Sequence, residues 1–254
     1  MPVFKWRYKV CELFDIPVYL DASFAILLVM FLTSHPIFGY AITMALVLAV
    51  SVIAHELGHS LTARAFGYRT RDITISLLGG CASLTALPRK ASQELLTALA
   101  GPVVSFALAA IGYFSFDVFA IRSDWLAFTL TYLFWLNLML GGFNLLPGFP
   151  MDGGRIFRSV LRAFLSRPKA TFVAMWVGRA FAVLLGLSGA HAVLTGGSWG
   201  WIRIFIAVMI WREGYREYLL AQAESSWEFS DYRARVSPPP YGGDGDDCDV
   251  RRND

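Results

Sequence analysis

The run AITMALVLAVSVIAHELGHS, residues 41–60, is apolar enough to lie in a bilayer, yet it carries His55, Glu56 and His59 within five positions. This stretch restricts the fold more than any other. An ionisable group at the centre of a membrane helix costs about 3 kcal/mol unless it is paired or faces a protected cavity. The rest of the chain must therefore wrap helices around these three residues and bring partners to them.

Composition supports that demand. Of 254 residues, 56% are hydrophobic and 16% charged, too apolar for an ordinary soluble domain. Runs long enough to cross, or nearly cross, a hydrocarbon core fall at 18–34, 39–62, 93–116, 125–147, 171–191 and 198–219. The first is short and holds Asp21. The expected fold is all-α and polytopic, with about six transmembrane helices. Between the second and third spans, Asp72, Thr74 and Ser76 alternate with Ile73, Ile75 and Leu77, and Gly79-Gly80 follow. That pattern predicts a small membrane-associated β-hairpin or sheet. Residues 1–220 form the expected membrane core. Residues 221–254, rich in acidic residues and ending in SPPPYGGDGDD and a short polar run, read as a disordered polar cytoplasmic tail.

Basic residues give the orientation. Lys5, Arg7 and Lys9, then Arg64, Arg69, Arg71, Arg89 and Lys90, then Arg155, Arg158, Arg162, Arg167 and Lys169, then Arg212 and Arg216 fall in one set of connections. The alternate connections hold almost none, so both termini are expected in the cytoplasm. HELGH then lies near the cytoplasmic end of its span. Without the tail the chain carries 18 basic and 11 acidic residues, a balance that anionic lipid accounts for without nucleic acid. Cys11, Cys81 and Cys248 are an odd number without C-x-x-C spacing, which excludes a disulfide framework. No small-residue cleavage site follows the first apolar run, so no signal peptide is expected.

On a helix, residues four apart share a face, so His55 and His59 can aim ring nitrogens at one ion. Zinc suits imidazole, and a catalytic zinc takes three protein ligands and a water. Glu56, one residue after the first ligand, is placed to reach that water. The third ligand belongs at similar depth on another span. The fourth span ends in NLMLGGFNLLPGFPMDGGRIF, where Pro147, Pro150, Gly153 and Gly154 interrupt the helix. Asp152 in that segment is either the third ligand or a cap on the next helix. Spacing alone leaves both open.

HELGH at 55–59, AGPVVS at 100–105 and NLLPGFPMDGG at 144–154, in this order, resemble the site-2 protease family of intramembrane zinc metalloproteases, closest to the prokaryotic branch with a compact six-span core. DIPVYLDASF, GGCASL and GGRIFRSVLRAF extend the resemblance over residues 11–220. It implies one zinc per chain held by His55, His59 and Asp152, with Glu56 as general base and acid. It implies that Asn144, on the Asn-x-x-Pro position, orients substrate backbone, and that Gly101-Pro102 is the family's Gly-Pro pair. Many members carry asparagine where this chain has Ser105, so position 105 reads as helix packing rather than catalysis.

The function expected from this resemblance is endoproteolysis of single-span membrane proteins in or near their transmembrane segments, in contact with the lipid bilayer. The strand segment would hold the unwound substrate by β-augmentation, or merely pack against the bundle. A metal transporter is the main non-proteolytic alternative, but the external halves of the spans lack polar ligands. A pseudoprotease would have lost Glu56 or a ligand. Zinc proteases that process prenylated proteins lack the Asn-x-x-Pro…Asp-Gly segment. Arg179 and Arg203 read as snorkelling residues, His35 and His191 as external loop histidines. The sequence sets neither substrate nor oligomeric state.

Overall fold

A computed structural model describes residues 7–34, 37–76, 79–85, 88, 90–119, 123–197 and 199–236. Lys5, His35, Arg89, Arg122 and the tail beyond 236, with its PPPY, lie outside the described residues. The elements run β1 (Arg7–Leu13), β2 (Ile16–Asp21), α1 (Phe24–Ser34), α2 (Phe38–Ala65), β3 (Thr70–Ser76), β4 (Gly79–Leu84), α3 (Ala91–Phe119), α4 (Asp124–Asn144), α5 (Asp152–Leu161), α6 (Arg167–Leu194) and α7 (Gly200–Val236).

The strands form one sheet in the order β1-β2-β3-β4. The β3–β4 hairpin is the expected one; β1 and β2 were not foreseen. Their two-residue turn places Phe14 at φ 53° and Asp15 at φ 63°, a left-handed pair that matches strand twist in tight hairpins. Arg64 near the end of α2 donates to the Phe14 carbonyl at 2.7 Å and clips this turn to the HELGH helix. β2 and β3 pair in parallel, with Val18 opposite Ile73 and Leu20 opposite Ile75. The connection between them is α1 plus α2. Ile16, Val18, Ile73 and Ile75 point to one side and pack with Phe24 and Val52. Val52 lies one turn before His55, so the sheet is fixed beside the polar residues of α2.

Residues 18–34 do not form a crossing helix. Ile16–Asp21 is strand, and Asp21 ends it by accepting the Ser23 N–H at 2.8 Å. The helix that follows has 11 residues, about 16 Å against a hydrocarbon core of about 30 Å. The β-branched residues of β2 are as hydropathic as helix residues, which is why the run looked continuous. Among the described residues, four helices are long and apolar enough to cross a membrane: Phe38–Ala65, Ala91–Val118, Asp124–Asn144 and Arg167–Leu194. α7 is not among them, since Arg203, Arg212, Glu213, Arg216 and Glu217 fall in its first half. It runs on through Val236, past the boundary expected at residue 220.

α2 and α3 cross closely because small residues meet there. A Cβ on Gly58 would lie 2.8 Å from the Ala100 carbonyl oxygen, and one on Gly101 would collide with the rings of His59 and His55. α4 then ends at Asn144, and an irregular segment leads into α5. Its backbone is satisfied internally, with Gly148 N–H donating to Leu146 O, Met151 N–H to Gly148 O and Gly154 N–H to Met151 O. Such backbone is tolerated at membrane depth only when protein or water covers it. Phe149 and Met151 are buried, and Met151 packs against Ala182 of α6 with Ala207 and Ile210 of α7.

Candidate metal centre

Three polar atoms from two distant segments converge at the α2–α5 contact. His55 Nε2 and His59 Nε2 are 3.1 Å apart. Asp152 Oδ2 lies 3.2 Å from the first and 3.1 Å from the second. His55 and Asp152 are buried, and the His59 side chain is 12% exposed. Asp152 is the first residue of α5; the cap position belongs to Met151, which makes no side-chain cap bond. The carboxylate turns toward the histidines instead.

These donors fit a zinc ion. Ligand atoms about 2.0 Å from a tetrahedral centre stand about 3.3 Å from each other, and the three observed separations are close to that edge. His55, His59 and Asp152 form a group that could hold a metal ion. The outer ring nitrogens are also engaged, as metal-binding imidazoles usually are. His59 Nδ1–H donates to the Thr97 carbonyl at 2.7 Å, and His55 Nδ1 lies 2.9 Å from Ser105 Oγ. Both partners are on α3. Ser105, which the sequence assigned to packing, therefore touches a candidate ligand. A small residue in an apolar helix gives no signal of a partner fifty positions away.

Glu56 is hydrogen-bonded outside the three. Its Oε2 accepts the Ala82 N–H at 3.1 Å, so the edge of β4 not paired with β3 is turned to this carboxylate. Asn144 is not part of the cluster; its amide donates to Leu140 O, 2.9 Å away within α4.

A second polar cluster went unread in the sequence. Arg158 of α5 donates through Nε at 2.8 Å and Nη2 at 2.5 Å to Glu94 Oε1 of α3, and through Nη1 at 3.0 Å to Glu217 of α7. Arg162 reaches the other Glu94 oxygen at 2.8 Å. The available signal was a glutamate at the start of an apolar helix and two arginines one turn apart. Arg179 does not simply snorkel: its guanidinium lies over Trp176, Trp211 and Tyr215, at 5.1, 4.5 and 5.6 Å from the ring centroids.

The sequence model of peptidase family M50 matches residues 43–122 and 120–187, more than half of the chain and the whole of the α2–α5 contact. The chain belongs to peptidase family M50. A zinc metalloprotease of Methanocaldococcus jannaschii is 36% identical over 189 residues, covering 72% of this chain and 54% of that protein. Stage IV sporulation protein FB of Bacillus subtilis is 27% identical over 173 residues, covering 68% and 58%. The chain thus spans little more than half the length of these relatives. Among solved structures, the site-2 protease from Methanocaldococcus jannaschii superposes with a TM-score of 0.62 at 28% identity, covering 84% of this chain and 95% of that one. With its apolar helices, this M50 chain is a multi-pass membrane protein.

Proposed function

We propose that this M50 chain is an intramembrane zinc endopeptidase that hydrolyses peptide bonds in or near the transmembrane segments of membrane-anchored, single-span substrates. The observation that carries the reading is the convergence of His55 Nε2, His59 Nε2 and Asp152 Oδ2 within 3.2 Å of one another, beside a glutamate that ligates nothing.

His55, His59 and Asp152 would hold one zinc per chain. Bound there, zinc would polarise the peptide carbonyl and lower the pKa of water toward ~7. Glu56 takes the proton from the attacking water and returns it to the leaving amine as the C–N bond breaks. To do so it leaves Ala82 N–H, which frees that edge position of β4. An unwound substrate strand lying along β4 would satisfy the same N–H and set its carbonyl beside the site. Asn144 orients substrate backbone in this scheme, supported by its place at the end of α4, eight residues before Asp152. Both termini are assigned to the cytoplasm on the basic residues of the connections, with the site opening to that side; the tail from 221 is assigned no catalytic part.

The test pairs zinc content with cleavage of a generic single-span substrate by detergent-purified protein. Wild type should hold one zinc and cleave. Asp152→Ala should lose the metal. Glu56→Gln should keep it and lose 100-fold or more in rate. Zinc retained in Asp152→Ala would remove that residue from the site.

A further inference from the structure

The two candidate histidine ligands differ in what holds their outer nitrogen. The Thr97 carbonyl can only accept, so His59 carries its proton on Nδ1 and presents a lone pair at Nε2. Ser105 is different in kind, because a hydroxyl both donates and accepts. We infer that Ser105 is a positioning residue that lets His55 exchange tautomers when the metal binds. This rests on the zinc reading above.

Around His55 Nε2 stand two acceptors, Asp152 Oδ2 at 3.2 Å and the lone pair of His59 Nε2 at 3.1 Å. Before a cation binds, three lone pairs facing one another at that range repel, so the proton of neutral His55 belongs on Nε2. Nδ1 then accepts the Ser105 hydroxyl proton. Once a metal takes the Nε2 lone pair, the ring proton must sit on Nδ1, and Ser105 Oγ becomes the acceptor. The count of protons on the ring is unchanged, and the serine turns only its O–H bond. Both side chains are buried, at 3% exposure for His55 and 0% for Ser105. Without the hydroxyl, a ring nitrogen is therefore left unpaired in either tautomer. Neither a carbonyl nor an alkyl group serves both states.

Zinc affinity of the full chain in detergent, read by competition with a chromophoric chelator, tests this without substrate. Ser105→Ala should bind zinc 10–100-fold more weakly than wild type, the range for lost outer partners of metal-binding histidines. Ser105→Thr and Ser105→Val share one shape and differ in the hydroxyl, so Thr should hold zinc at least ten times more tightly than Val. With cobalt in place of zinc, the visible absorption of the Val variant should shift and that of Thr should not. Ser51→Ala is the packing control. Ser51 is a buried serine one turn along α2 whose hydroxyl accepts from Asn137 at 2.8 Å, and its loss should leave affinity unchanged. Equal affinities for wild type and Ala, or for Thr and Val, overturn the inference while leaving the metal site standing. A folded wild type that takes no zinc overturns the metal reading and this inference together.

Discussion

Two buried polar clusters share α5, and they are built on opposite principles. Around Arg158, two arginines meet two glutamates, so every charge has an opposite within 3.0 Å and the cluster is complete in itself. Around Asp152, one carboxylate oxygen and two imidazole nitrogens point at a common centre, and the cation that favours the carboxylate, Arg155, acts on it through space. The first is a fastener and the second a socket. Burial and polarity do not separate the two; charge balance at short range does. The first cluster neutralises itself, and the second offers one carboxylate and two imidazoles to a shared centre that an ion could fill.

The largest effect should come from breaking the fastener. Arg158 is 1% exposed, and Arg158→Ala leaves Glu217 without its hydrogen-bonded partner and Glu94 with Arg162 alone, in a poorly hydrated place. Unfolding in mixed micelles should show a loss of about 3–5 kcal/mol. The socket should respond to its ion instead. At free zinc 100 times Kd, wild type should gain about 2.7 kcal/mol of stability and Asp152→Ala nothing, with a chelator reversing the gain. A zinc-dependent stability that survives Asp152→Ala would mean the ion sits elsewhere. The smallest effect sharpens the contrast: Arg162→Gln leaves Glu94 still paired with Arg158, so it should cost about 1–2 kcal/mol and leave zinc affinity unchanged.

Much of this arrangement was legible in the chain. Helical spacing put His55 and His59 on one face, and the breakers around Asp152 marked the other half of the site, because both signals are local. What was lost depends on distance or on context. Hydropathy scores Ile16 and Val18 alike in strand and helix, so β2 vanished into an apparent span. Ser105, Thr97 and Glu94 contribute through partners 38 to 64 residues away, and nothing in their neighbourhoods announces it. Pro and Gly after residue 237 lend the whole segment a loop-like composition, though they bear only on its far end. Ala221 to Glu224 are good helix formers, and α7 simply continues through them.

The parallel pairing of β2 with β3 constrains how the molecule is made as well as how it stands. Parallel neighbours begin at the same end of a sheet, so the chain leaving β2 must travel out and come back before β3 can start. α2 supplies the return. From Phe38 to Val52, where the sheet packs, it covers about 21 Å at ~1.5 Å per residue, and α1 with its short connection has only that distance to climb. An 11-residue helix suffices because it sets out from a sheet already sunk part-way along α2. During synthesis, the first hairpin therefore has no sheet to join until the helix bearing HELGH has been threaded back past it. Closure of the sheet against Val52 thus follows the return of the HELGH helix alongside β2.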